Sequence, residues 1–170
     1  MSEMTTRLAS ALTALTLLIS APLPVAAATP APTAFDVAAR AVVLTLHAEG
    51  AQIYQCQPDA SGALSWAFRE PIATLIGDGK TVGRHYAGPT WALDDGAAVK
   101  GKLAASAPGA GPGDIPLLKL NVAEHQGAGA LAGANLVLRL NTHGGVFKGA
   151  CATAGELHAE PYSADYVFLR

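Results

Sequence analysis

Alternation with a period of two constrains this chain more than any other feature. Leu44 and Leu46 share a face with Val42, while Thr45 and His47 point the other way. The same reading holds for Leu64, Trp66 and Phe68 against Ser65 and Arg69, and for Val99 and Leu103 around Gly101 against Lys100 and Lys102. It recurs in Leu118, Leu120 and Val122 against Lys119 and Asn121, and in Leu136, Leu138 and Leu140 against Arg139 and Asn141. Tyr162, Ala164, Tyr166 and Phe168 form the last series, opposed by Ser163 and Asp165. Antiparallel strands over one core, with one polar face, produce this pattern. Between the strands stand "AEG" (48–50), "PDASG" (58–62), "GDG" (77–79) and "DDG" (94–96), where Gly and Asp supply turn geometry. "SAPGAGPGD" (106–114) reads as a surface loop. The expectation is an all-β fold, a single-domain antiparallel β-sandwich or barrel with little helix, apart from a turn or two over residues 33–41.

The first residues belong to a different category. Arg7 precedes an uncharged apolar run over residues 8–19, and "APLPVAAA" ends in an A-x-A pattern with a cut expected before Thr29. This layout is that of a cleaved export peptide, too short for a membrane span. Residues 1–28 are therefore read as a secretory signal, and 29–170 as one domain whose first residues, 29–40, are loosely ordered. The expected destination is periplasmic or extracellular, with no later segment of membrane-spanning length.

Charge excludes some partners. Setting aside Arg7 and Glu3 leaves ten of the 11 basic and twelve of the 13 acidic residues, and neither sign forms a run. Nucleic acid needs a clustered basic footprint, which is absent. Cys56 and Cys151 are the two cysteines. In an exported chain an even count favours a disulfide, worth roughly 4–5 kcal/mol in the chain-entropy model. Two buried thiols or a metal pair are the competing readings, and the metal signature is weak without further ligands at suitable spacing.

Candidate chemistry concentrates in "HYAGPTWALDDG" (85–96). As a binding platform, Trp91 would stack on a ring, Tyr86 and His85 would donate hydrogen bonds, and Asp94 would accept one. The ligand would be a carbohydrate or a small aromatic compound. The alternative for the same stretch is a structural corner with core aromatics. A hydrolase is the second functional reading, with Asp95 and His85 joined by His143 from a facing loop. A third is a structural or interaction protein with an exposed apolar patch. "GAGALA" (127–132) matches G-x-G-x-x-A, but "NLVLRLN" after it alternates like a strand where a dinucleotide site needs a helix. No cofactor is expected. The five histidines, His47, His85, His125, His143 and His158, show no metal-binding spacing, so no metal is assigned.

These residues also carry a resemblance. "LHAEGAQIYQC" (46–56), "WAFREPIATL" (66–75), "VGRHYAGPTWALDDGAAVKGK" (82–102), "IPLLKL" (115–120), "RLNTHGG" (139–145) and "YSADYVFLR" (162–170) resemble the secreted proteins grouped as domain of unknown function 3455. The resemblance implies an exported protein whose pattern positions include Tyr54, Cys56, Trp66, His85, Tyr86, Gly88, Pro89, Trp91, Asp95, Gly96 and Cys151. It implies no activity. Ala97 stands where the family pattern has Ser, which disfavours an enzyme that would use that hydroxyl, and Leu117 stands where the pattern favours Trp.

Overall fold

A computed structural model describes Phe35, Val37 and residues 40–170; residues 1–28, expected to be a secretory signal, and most of residues 33–41 lie outside the described residues. The alternating segments form eight strands: β1 (Val42–Pro58), β2 (Leu64–Gly77), β3 (Lys80–Tyr86), β4 (Thr90–Leu93), β5 (Ala98–Ala107), β6 (Leu117–Gln126), β7 (Leu136–Gly144) and β8 (Leu157–Leu169). Each pairs antiparallel with the next, and β8 pairs back onto β1, closing a barrel. Of the two architectures expected, the barrel is the one formed. Closure leaves no free edge around the ring itself, and a ring of eight encloses a space that side chains can fill or that can hold one small ligand.

The interior follows the alternation. Leu46, Leu75, Trp91, Val99, Leu120, Val137, Ala164, Tyr166 and Phe168 pack as one buried cluster. Thr45, Glu49, Thr74, Arg84 and Lys102 are exposed. An apolar inside with polar groups outside is the inverse of a membrane barrel. No helix among the described residues is long and apolar enough to cross a membrane.

Most turns fall where Asp and Gly place them. Asp59 Oδ1 accepts from the Ser61 amide and hydroxyl at 2.8 and 2.6 Å, fixing the β1–β2 turn. Asp78 and Gly79 both have positive φ, as a two-residue type I′ hairpin requires. "AEG" is the exception. Ala48–Gly50 runs through the middle of β1, with Gly50 opposite Ala73. A Cβ at Gly50 would collide with the Ile72 carbonyl oxygen and stand 2.5 Å from Ala73 Cα. Here glycine permits close strand approach and makes no turn.

Two readings of face are also corrected. Leu136 and Leu138 do share a face, but it is the outer one, where Phe35 and Leu169 complete a second buried cluster with Val37 and Leu140 packed against it. The inward residues of β7 are therefore Val137, in the barrel core, and Arg139, in a cavity. Because a chain segment covers its outside, β7 is apolar on both faces at this level, and alternation alone pointed the arginine the wrong way. Leu103 is 59% exposed, since the register of β5 slips on both sides of it, at Lys100/Gly101 and Leu103/Ala105.

Candidate functional site

The two ends of the barrel are built differently. At one end, the β2–β3 and β4–β5 turns and the β6–β7 loop meet beside Asp95. Its Oδ1 accepts from the Ala97 amide at 2.9 Å and its Oδ2 from the Ala130 amide at 2.8 Å. The bond from Ala130, then that from Ala97, holds this carboxyl below the usual carboxylate range. Gly127 and Gly129, the glycines of "GAGALA", lie against this β4–β5 turn, and β7 follows them as a strand. Asp95 is thus a staple between two loops.

At the other end the barrel opens into a cavity of about 760 Å³. That volume suits a drug-sized organic molecule. Two long connections frame it. In the β5–β6 loop, Asp114 accepts from the Gly111 amide at 2.9 Å and from the Gly144 amide at 2.7 Å. The β7–β8 loop is tied down by Tyr54, whose hydroxyl donates to the Gly145 carbonyl at 2.7 Å, and by the Cys56–Cys151 disulfide. The cysteines are paired, with Cα atoms 5.9 Å apart. Phe147 of this loop stacks on His158 at 3.7 Å and meets Tyr54 and Trp66 edge-on. Phe68, on the hairpin arm that projects beyond the ring, lines the cavity and is 53% exposed.

Polar side chains reach the cavity from four strands: Gln52 of β1, Arg69 of β2, His85 of β3 and Arg139 of β7. Gln52 is 3% exposed and its Nε2 has no hydrogen-bond partner among the described residues. His85 is 2% exposed; its Nδ1 lies 2.9 Å from the Thr90 carbonyl, its ring stacks on Trp91 at 4.7 Å, and Tyr166 packs beside it at 4.9 Å. Burial, aided by the Arg139 charge and opposed by the Thr90 carbonyl, lowers the His85 pKa to about 4. The ring is therefore neutral at pH 7. A carbonyl can only accept, so Nδ1 carries the proton and Nε2 keeps a lone pair. Arg139 donates from Nε and Nη2 to the Pro116 carbonyl at 3.0 and 2.8 Å. Tyr162 and Tyr166 lie beneath, buried, their hydroxyls near each other and that of Tyr166 near Arg139, with no partner at ideal hydrogen-bond geometry among the described residues. Burial raises both phenols well above their ordinary range, so they stay protonated.

The stretch 85–96 is thereby divided. His85 lines the cavity, and Trp91 is 1% exposed in the core beneath it. Tyr86 is on the outer face, beside a shallow groove with Lys100 and Glu124 and with the Arg84 guanidinium 5.9 Å above its ring. Asp94 sits at the opposite end, in a depression with Asp78 and Ala130. These four residues do not converge. Nor do the three of the hydrolase reading: Asp95 is in that far depression, and His143 is exposed on β7. Among the described residues, no three of His, Cys, Asp and Glu are placed to hold a metal.

Gln52 and Arg139 were missed from sequence. Gln52 had a usable signal, because it alternates with Tyr54 and Cys56 and so shares their inward face. Arg139 had none, since its neighbours Leu138 and Leu140 mimic a core face.

The family model for a protein of unknown function, DUF3455, matches residues 37–81 and 76–170, which include every strand of the barrel. The chain belongs to the DUF3455 family. No curated protein and no solved structure matches it. The DUF3455 pattern positions Tyr54, Cys56, Gly88, Pro89 and Cys151 fall at the cavity end, with Tyr54, Gly88 and Pro89 lining the cavity itself.

Proposed function

We propose that this protein is an exported binding module that holds a small organic molecule in the open end of its barrel. The observation that carries this reading is a cavity of about 760 Å³ whose floor is lined by Gln52, a side chain with a buried Nε2 that has no hydrogen-bond partner among the described residues. An unmade buried hydrogen bond costs roughly 1–3 kcal/mol, a cost that a bound polar group removes. Around the polar floor the walls are aromatic rings, prolines and aliphatic side chains, among them Tyr54, Phe68, Pro89, Ile115 and Phe147. Such walls suit an aromatic compound better than a carbohydrate, whose many hydroxyls would go unpaired. Of the residues in "HYAGPTWALDDG", His85 is the one that contacts the ligand in this reading, and Trp91 supports its ring. The export signal, the disulfide and the polar outer face agree with a protein that works outside the cytoplasm.

The test is a thermal-shift series with aromatic compounds and oligosaccharides on the wild type and on Val146→Trp, which fills the cavity from its wall. A ligand at a hundred times its dissociation constant adds about 2.7 kcal/mol of stability, an easily measured shift. Aromatic compounds are expected to stabilise the wild type and leave Val146→Trp unmoved. Equal shifts in both proteins would place binding elsewhere.

A further inference from the structure

The charges around the cavity are unequally occupied. Four charged side chains line it: Arg69, Asp114, Arg139 and Lys148. Both Asp114 oxygens are taken by backbone amides, and Arg69 pairs with Glu70 at 3.1 Å. Arg139 and Lys148 have no carboxylate within ion-pair distance among the described residues; the partners of Arg139 are neutral, the Pro116 carbonyl at Nε and Nη2 and the Tyr166 hydroxyl beside it. A cation set among apolar walls without a counter-charge is costly, and the cost is relieved when an anion arrives. Gln52 lines the same floor, its buried Nε2 without a partner among the described residues. No free carboxylate lines the cavity among the described residues, so nothing there would hold a cation. His85, held neutral, brings no second charge: it comes from β3, four strands from β7 in the ring of eight, and the Arg139 charge is still close enough to help keep its ring neutral.

We infer that the ligand is an organic acid, its anionic group on Arg139 with Lys148 at the entrance and its apolar, planar body against Tyr54, Phe68 and Phe147. This rests on the reading of the cavity as a binding site and adds the chemical class. A guanidinium presents its N–H edge to both oxygens of a carboxylate, whereas an ammonium acts as a point charge. Arg139 therefore sets the preference and Lys148 contributes less, being exposed and screened by salt.

Calorimetric titration of the purified full-length protein with 2-naphthoate, its neutral isostere 2-naphthamide, and 2-naphthylmethylammonium separates the possibilities. The acid is expected to bind at least about tenfold more tightly than the amide, and the ammonium not at all. Arg139→Gln should cut the acid's affinity about tenfold while changing the amide's by less than about twofold, and Arg139→Lys should restore part of the loss. Lys148→Gln, a surface change that leaves folding alone, should weaken the acid by about twofold to threefold and more so at low salt. Equal affinities for acid and amide would overturn the assignment of an acid and leave the cavity as a binding site. Binding of an oligosaccharide in place of all three would do the same. If no compound of any class binds, both the assignment and the binding site fall.

Discussion

The two ends of this barrel are made by the same eight strands, yet one is filled and the other is not. Through the middle and toward the closed end, inward positions carry Leu46, Leu75, Trp91, Val99 and Phe168, and the space is packed. Toward the open end the inward positions carry Gln52, His85 and Arg139, and the space is empty of protein. Closed-end loops are stapled onto one another by Asp95, whereas open-end loops are pinned back to the rim by Asp114, Tyr54 and the disulfide. The packing that stabilises the fold and the recognition proposed for it thus fall at different levels of one interior. Substitutions at the two levels should then have different consequences.

The largest effect is expected at the packed level. Trp91→Ala removes a side chain that touches His85, Tyr166 and Phe168. It should cost about 3–5 kcal/mol, measured by urea unfolding. If the loss is under about 1 kcal/mol, Trp91 is not a core residue and the division between the levels fails.

His85 sits at the boundary, and pH probes it. Its folded pKa, about 4, lies below the 6.5 of an unburied histidine, so the unfolded chain binds the extra proton first. Stability from this group is full above pH 6.5 and declines as pH falls toward 4, by an amount on the order of 3 kcal/mol. Carboxylates titrate in the same range, so the readout is the difference between wild type and His85→Gln. That difference should shrink on acidification through this window. A gap that stays constant would show that the imidazole is not held neutral by burial.

The smallest change in stability is expected from Gln52→Leu. It removes an unpaired buried amide and replaces it with an apolar group of similar size, so unfolding should shift by less than about 1 kcal/mol. Affinity for an acid or amide ligand should fall by about threefold to tenfold in titration. A large loss of stability would mean that Gln52 belongs to the packed level.

Much of the fold was legible because closure only requires alternation and turns. The inward series Tyr162, Ala164, Tyr166 and Phe168 appears as read, and so do the hairpins at Asp59 and Asp78. Gly50 misled because sequence cannot tell a turn glycine from one that lets two backbones touch. Leu136 and Leu138 misled because an apolar face can be covered from outside by residues distant in sequence, here Phe35 and Val37. The site was legible only in part. "HYAGPTWALDDG" does mark a chemically loaded turn region, but alternation sends His85 and Trp91 inward and Tyr86 outward, while Asp94 rides to the far end with the strand. A cluster in sequence becomes a cluster in space only when its members share a face and an end. Gln52 and Arg139 satisfy that condition from strands far apart in the chain.

The most direct test of the assignment of recognition to the open end is a nitrogen-15 NMR titration with 2-naphthoate and 2-naphthamide. Saturable shifts confined to the amides of Gln52, Tyr54, His85 and Phe147, with Tyr86 and Asp94 unmoved, are the predicted result. Shifts strongest at Tyr86 or Asp94, or no saturable shift with either compound, would contradict it.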